Sequence, residues 1–147
     1  MVVTHQSGVG RGYFDQAAIA ELHARFLEEF ARRGAPLDAI YSCPHAPEAP
    51  PGPSCLCAKP LPELGFRAAA ELGLDLAGSF MIGDKVDDVL FGLNIGAASI
   101  LVLTGYGRAA SAALAVRGIR PAYAAAGVLD AAAWILERGK GPAYGPL

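Results

Sequence analysis

The chain has 147 residues, enough for one domain around one hydrophobic core, and 53% of them are hydrophobic and 18% charged. Its net charge is -2, with 12 basic and 14 acidic residues and no basic block, so we expect no nucleic-acid partner. No apolar run approaches the ~18 residues that span a bilayer, and no signal-type segment opens the sequence, so we expect a cytoplasmic protein without a membrane partner.

Residue patterns predict strands that alternate with helices. Val2 and Val3 look like a strand end, and residues 4–12 look like a glycine-rich turn. Asp15 is placed as the N-cap of a long amphipathic helix that stops at Gly34. The further predicted elements are strands at 37–42, 79–82, 99–103 and 121–124 and helices at 61–72, 87–95 and 128–137. Alternation of this kind predicts one α/β domain over residues 1–147, with a parallel sheet between helices.

The segment from Cys43 to Pro60 contains six prolines and no hydrophobic periodicity. A segment of this kind is either disordered or fixed by a cross-link such as a bound metal. All three cysteines of the chain lie within it, together with one histidine, as the pairs Cys43-x-His45 and Cys55-x-Cys57. Zinc prefers four tetrahedral nitrogen or sulfur ligands, and a site with no free position is structural. The pattern predicts a structural zinc loop over residues 43–60; the alternative is an unliganded, disordered loop.

Three further segments bring polar residues to the carboxyl ends of strands, where open parallel sheets bind ligands. Thr4 is expected to follow the first strand and to offer a hydroxyl to a phosphoryl oxygen. Lys59 offers a positive charge, and Asp84, at the end of a buried strand, suits magnesium, with Lys85 beside it. Each piece has a plain alternative, namely a turn cap, a solvated lysine, and an Asp84 that only caps the next helix.

Together these motifs resemble the D-glycero-D-manno-heptose-1,7-bisphosphate 7-phosphatase family of the haloacid dehalogenase superfamily, and the related histidinol-phosphate phosphatases. The resemblance rests on Thr-His-Gln-Ser-Gly from Thr4, Cys-Pro-His from Cys43, Cys-x-Cys-x-Lys-Pro from Cys55 and Met-Ile-Gly-Asp-Lys from Met81. It implies a Rossmann-like, three-layer α/β fold with a parallel sheet and a small-molecule sugar phosphate as the partner. It also implies a phosphoaspartyl mechanism that depends on Mg²⁺, in lipopolysaccharide precursor metabolism.

The resemblance also implies roles for individual residues. Thr4 and Lys59 would stabilise the transferred phosphoryl group, Asp84 would bind magnesium, and Cys43, His45, Cys55 and Cys57 would bind zinc. Substrate contacts would come from Thr4, His5, Gln6, Ser7, Ala58, Lys59 and Lys85. Two positions depart from the family, which usually has asparagine in place of His5 and arginine in place of Ala58. The second departure leaves the sugar unidentified.

The largest departure is the Asp-x-Asp-Gly segment, which in the family precedes the threonine loop and supplies the nucleophile. No two aspartates of this chain are separated by one residue. We therefore expect the chain as printed to be inactive and its sheet to lack the first, central strand. Three explanations are open: an N-terminally shortened phosphatase, a non-catalytic relative that binds sugar phosphates or a protein, or an enzyme completed by another chain. Unpaired strand edges would favour self-association, unless the two flanking strands pair directly.

Overall fold

The computed structural model describes residues 1–46 and 55–138, which fall into two compact units divided after Leu74. The first unit contains β1 (Val2–His5), α1 (Ser7–Gly10), α2 (Gln16–Arg32), β2 (Ile40–Cys43) and α3 (Glu63–Leu72). The second contains β3 (Phe80–Gly83), α4 (Val86–Asn94), β4 (Ala98–Val102), α5 (Gly107–Val116), β5 (Tyr123–Ala125) and α6 (Val128–Arg138).

In the first unit, β1 and β2 pair in parallel, with Thr4 opposite Ser42 and His5 opposite Cys43. Buried side chains of β2 and α3, including Tyr41 and Leu64, form its core. The hydroxyl of Tyr41 donates a hydrogen bond of 2.8 Å to Glu71 of α3. This packing fixes the end of β2, from which the predicted zinc ligands start.

In the second unit, β3, β4 and β5 form a parallel sheet in that order. Val89 of α4 and Leu114 of α5 pack with Leu101 on one face of the sheet. Ala131 of α6 packs with Ile100 and Val102 on the other face. Helices therefore cover both faces of this sheet, and its carboxyl edge carries the residues that follow β3 and β4.

Most predicted elements are confirmed with ends shifted by one to three residues. Asp15 caps α2, since its side chain accepts a hydrogen bond of 2.8 Å from the N–H of Ala18. The long helix nevertheless has no buried residue, and Leu22 and Phe26 are 53% and 41% exposed. A sheet of two strands offers little surface for its apolar face, so the predicted amphipathic pattern is only partly covered.

Three predictions about local structure are wrong. Residues 7–10 form a short helix rather than a turn, and Thr4 lies within β1 rather than after it. The helix α5 was not predicted at all. Half of its ten residues are alanine, and its buried positions Gly107, Ala110 and Leu114 include one large apolar side chain, so the apolar periodicity is weak despite a high helix propensity.

A candidate metal centre and phosphate-binding residues

The four predicted zinc ligands converge on one point. Their ligand atoms all lie within 4.8 Å of one another, at the end of β2 and in the segment that precedes α3. Sγ of Cys55 lies 3.3 Å from Sγ of both Cys43 and Cys57. Nδ1 of His45 lies 3.1–3.6 Å from the three sulfur atoms. Tetrahedral zinc with bonds of about 2.0–2.3 Å needs ligand separations of about 3.5–3.8 Å, close to those observed.

Burial and mutual proximity shift the pKa values of the three thiols in the cluster. Burial raises the pKa of the Cys43 thiol, and burial also raises that of Cys57. For Cys55 burial acts in the same direction, but hydrogen bonds from Cys57 and Cys43 outweigh it and lower the pKa to about 7. All three cysteines are free thiols. Three thiols so close cannot all ionise without positive charge between them, and the chemistry of the donor set therefore fits zinc.

Backbone groups of the β1–α1 segment hold the first half of this cluster. The N–H of Gln6 donates to the carbonyl oxygen of Cys43 at 2.7 Å, and the N–H of Gly10 donates to that of Pro44 at 2.8 Å. The ring nitrogen Nε2 of His5 lies 2.8 Å from the carbonyl oxygen of His45 and donates to it. The residues of the Cys/His cluster are thus hydrogen-bonded to the segment that follows β1. Residues 47–54 of the predicted zinc loop lie outside the described residues.

Two predicted phosphate-binding residues lie together at the carboxyl end of β1. The half-buried ammonium group of Lys59 donates a hydrogen bond of 2.9 Å to the carbonyl oxygen of Val3, next to Thr4. The side chain of Gln6 donates to the hydroxyl of Thr4 at 3.4 Å. Lys59 comes two residues after Cys57, so the segment that carries it begins at the Cys/His cluster.

Other predicted contact residues flank this point. Ser7 is the first residue of α1, and its carbonyl oxygen accepts from Arg11 at 3.1 Å. Ala58 is half-buried between Cys57 and Lys59, and its carbonyl oxygen accepts from Leu61 at 2.9 Å. Both backbone groups serve local turns.

Asp84 and Lys85 lie in the second unit, between β3 and α4. Oδ2 of Asp84 accepts a hydrogen bond of 2.9 Å from the backbone N–H of Tyr106, which follows β4. Helix capping belongs to Asp88 instead, whose buried Oδ2 accepts from the N–H groups of Asp84 and Lys85 at 3.2 and 3.1 Å. The carboxylate of Asp84 is thereby left for another function.

Sequence reasoning missed the residues that surround Asp84. Gly105 has φ +56°, and a Cβ atom there would collide with Oδ2 of Asp84, so this position leaves space that the carboxylate fills. The available signal was Thr-Gly-Tyr directly after a predicted strand, at the same edge as Asp84. A carboxylate held at a strand end by a backbone donor fits one oxygen ligand of Mg²⁺, which needs only one or two carboxylates.

None of the helices in residues 1–46 and 55–138 has the length and apolar character required to cross a membrane.

Comparison with known proteins shows which families the chain is similar to. The family model described as HAD-hydrolase-like matches residues 56–131. The D-glycero-beta-D-manno-heptose-1,7-bisphosphate 7-phosphatase of Yersinia pestis is 42% identical, over 71% of this chain and 58% of that protein. The corresponding enzyme of Helicobacter pylori strain 26695 is 45% identical, over 64% and 53%. The chain thus spans little more than half the length of these curated relatives.

The solved structures that are similar to this chain are also phosphatases of this kind. The crystal structure of D,D-heptose 1,7-bisphosphate phosphatase from B. bronchiseptica, complexed with magnesium and phosphate, superposes with a TM-score of 0.79. It is 34% identical, and the match covers 92% of this chain and 73% of that one. A HAD-like phosphatase from Mesorhizobium loti gives a TM-score of 0.63 at 36% identity, over 71% and 52%.

Proposed function

Because the chain belongs to the haloacid-dehalogenase-like hydrolases, and within them to the heptose 1,7-bisphosphate phosphatase family, we propose that it is the phosphate-binding part of a magnesium-dependent sugar-phosphate phosphatase. The observation that carries this proposal is the position of Lys59. Its ammonium group donates to the carbonyl oxygen of Val3, the residue before Thr4, and Lys59 follows the Cys/His cluster by two residues. A fixed cation and a hydroxyl at a strand end suit a phosphoryl group.

Zinc has a structural role in this proposal. Cys43, His45, Cys55 and Cys57 would hold it, and four protein ligands leave no position for substrate. The ion would fix the segment that leads to Lys59 and so place the ammonium group. Reduced cysteines as ligands are also in keeping with a cytoplasmic location.

Magnesium would bind at Asp84, supported by the magnesium and phosphate of the B. bronchiseptica structure. When bound, Mg²⁺ neutralises charge on the transferred phosphoryl group. The residues of the chain do the rest: Thr4 donates its hydroxyl to a phosphoryl oxygen, and Lys59 and Lys85 add positive charge. We place Thr4 and Lys59 in the catalytic machinery and Lys85 in substrate binding.

Substrate recognition would come from the loop after β1 and from the segment after the zinc ligands. His5, Gln6, Ser7 and Ala58 contribute there, together with Thr4 and Lys59. The names of the relatives support a heptose 1,7-bisphosphate as substrate. A histidinol-phosphate type of substrate is the alternative, because Ala58 stands where the family has a substrate-recognising arginine.

The nucleophile is not assigned to a residue of this chain. The printed sequence contains no aspartates separated by one residue, so we propose that the 147-residue polypeptide by itself binds phosphate without turning it over. We also propose that residues 1–147 belong to one domain and that its open strand edges promote self-association. Size-exclusion chromatography over a range of concentrations tests the association.

Binding rather than turnover therefore tests the function. In calorimetric titrations with inorganic phosphate and Mg²⁺, Lys59→Met should weaken phosphate binding about tenfold or more, since a charge-assisted hydrogen bond is lost. Asp84→Asn should remove the dependence on Mg²⁺. Arg32→Met and Asp38→Asn, which change exposed charges elsewhere in the first unit, are the matched controls and should bind as the unmodified protein. A phosphate affinity that is the same in Lys59→Met as in the unmodified protein, and the same with and without Mg²⁺, would refute the proposal.

A further inference from the structure

Tyr106 contacts both polar residues that follow β3. Its backbone N–H donates to Oδ2 of Asp84 at 2.9 Å. Within the part of the chain that the structure describes, this N–H is the donor that reaches the Asp84 carboxylate, and Oδ1 accepts no hydrogen bond. One oxygen is thus fixed by the protein while the other stays available, the arrangement that outer-shell donors produce around metal-binding carboxylates.

The backbone before Tyr106 is shaped for this contact. Gly105 adopts φ +56°, and a Cβ atom there would occupy the space of Oδ2 of Asp84. Tyr106 itself has φ -84° at the start of α5, so its N–H points out of the helix toward the carboxylate. Gly105 therefore leaves space for the Asp84 carboxylate, and Tyr106 donates the hydrogen bond that fixes it.

The side chain of Tyr106 makes a second contact. Nζ of Lys85 lies 5.2 Å from the centre of the Tyr106 ring, within the range of a cation–π interaction. Among the described residues, no carboxylate oxygen lies within ion-pair distance of this ammonium group. The ring is 67% exposed, so it keeps Lys85 beside Asp84 without burying its charge.

We propose that Tyr106 is a positioning residue that links divalent-cation binding to phosphate binding. Its backbone N–H holds the Asp84 carboxylate, and its ring holds the Lys85 ammonium group, so one residue places the two opposite charges that a magnesium–phosphate pair requires. The inference rests on the proposed function, because it takes Asp84 as the magnesium ligand and Lys85 as a phosphate ligand.

Three substitutions separate the two contacts. Tyr106→Phe keeps the ring and the N–H, Tyr106→Leu keeps the N–H alone, and Tyr106→Pro removes both. Calorimetry on the 147-residue protein measures the binding of two probes, which are Mg²⁺ alone and inorganic phosphate in saturating Mg²⁺. The phenylalanine variant should match the unmodified protein. The leucine variant should bind Mg²⁺ unchanged and phosphate about two- to fivefold more weakly. The proline variant should also lose about tenfold in Mg²⁺ affinity.

A readout without substitution at this position keeps the test valid if the proline variant fails to fold. In ¹⁵N NMR spectra of the unmodified protein, the Tyr106 amide resonance should shift during the Mg²⁺ titration and should not shift in Asp84→Asn. Mg²⁺ binding that depends on Asp84 but leaves the Tyr106 amide unshifted would overturn the inference. Equal phosphate binding by the leucine and phenylalanine variants would overturn it as well. Mg²⁺ binding that is unchanged in Asp84→Asn would instead refute the proposed function.

Discussion

Sγ of Cys43 lies 3.3 Å from Sγ of Cys55, although the two cysteines are twelve positions apart in the sequence. Cys43 is fully buried at the end of β2, whereas Cys55 is half-buried in the segment before α3. The contact therefore joins a rigid strand to the segment that carries Lys59. A metal at this point would determine the position of the lysine as well as the stability of the loop.

Purified without chelator, the protein should contain close to one zinc per chain by elemental analysis. The free energy of zinc binding at structural sites is about 10–16 kcal/mol, which averages to roughly 3 kcal/mol for each of four ligands. Because His45→Ala removes one ligand, it should lower zinc affinity about a hundredfold or more. The double variant Cys55→Ser, Cys57→Ser should contain none. His23→Ala, on α2, is the matched histidine control and should keep its zinc. Protein that contains no metal would contradict the assignment.

His5 should slow the loss of zinc, because its ring donates at 2.8 Å to the carbonyl oxygen of His45, one of the four proposed zinc ligands. His5→Ala removes one hydrogen bond and should speed zinc transfer to a chelator about two- to tenfold. His5→Asn keeps an N–H donor and restores the residue that is usual in the family, so it should lie closer to the unmodified protein. Equal transfer rates for the unmodified protein and the alanine variant would show that this hydrogen bond does not support the site.

The site was only partly predictable from the sequence, for reasons that particular residues make clear. The convergence of Cys43, His45, Cys55 and Cys57 could be predicted because two short Cys/His pairs share a segment and a tetrahedral metal site needs four ligands. Lys59 could be placed because it follows Cys57 so closely. The sequence places Tyr106 at the same sheet edge as Asp84 but does not identify the contact itself, because that contact uses the backbone N–H, which every residue except proline offers.

Some elements of the fold were also predictable from the sequence, and others were not. The N-cap Asp15 and the stop at Gly34, which has φ +75°, are local signals, and α2 ends where they predict. The helix α5 packs through Leu114 and Ala110 in a cluster with Leu101 of β4, and alanine carries little periodic signal. Tertiary packing, rather than a pattern in the sequence, sets that helix.

Restoring the arginine that is usual in the family at position 58 should strengthen substrate binding. Ala58→Arg places a guanidinium group beside Lys59, and we expect about three- to tenfold tighter binding of heptose 1,7-bisphosphate, measured by calorimetry in Mg²⁺. Ala35→Arg, on the exposed loop after α2, adds the same charge and should change affinity little. An equal gain in both variants would mean that general attraction, not recognition at position 58, is responsible.

The most direct test of the account compares heptose 1,7-bisphosphate with histidinol phosphate in calorimetric titrations of the 147-residue protein, with and without Mg²⁺. We predict about tenfold or greater preference for the heptose bisphosphate, a requirement for Mg²⁺, and loss of binding in Lys59→Met. Equal or tighter binding of histidinol phosphate would contradict the heptose assignment. Absence of Mg²⁺-dependent binding of either compound would contradict the proposed function as a whole.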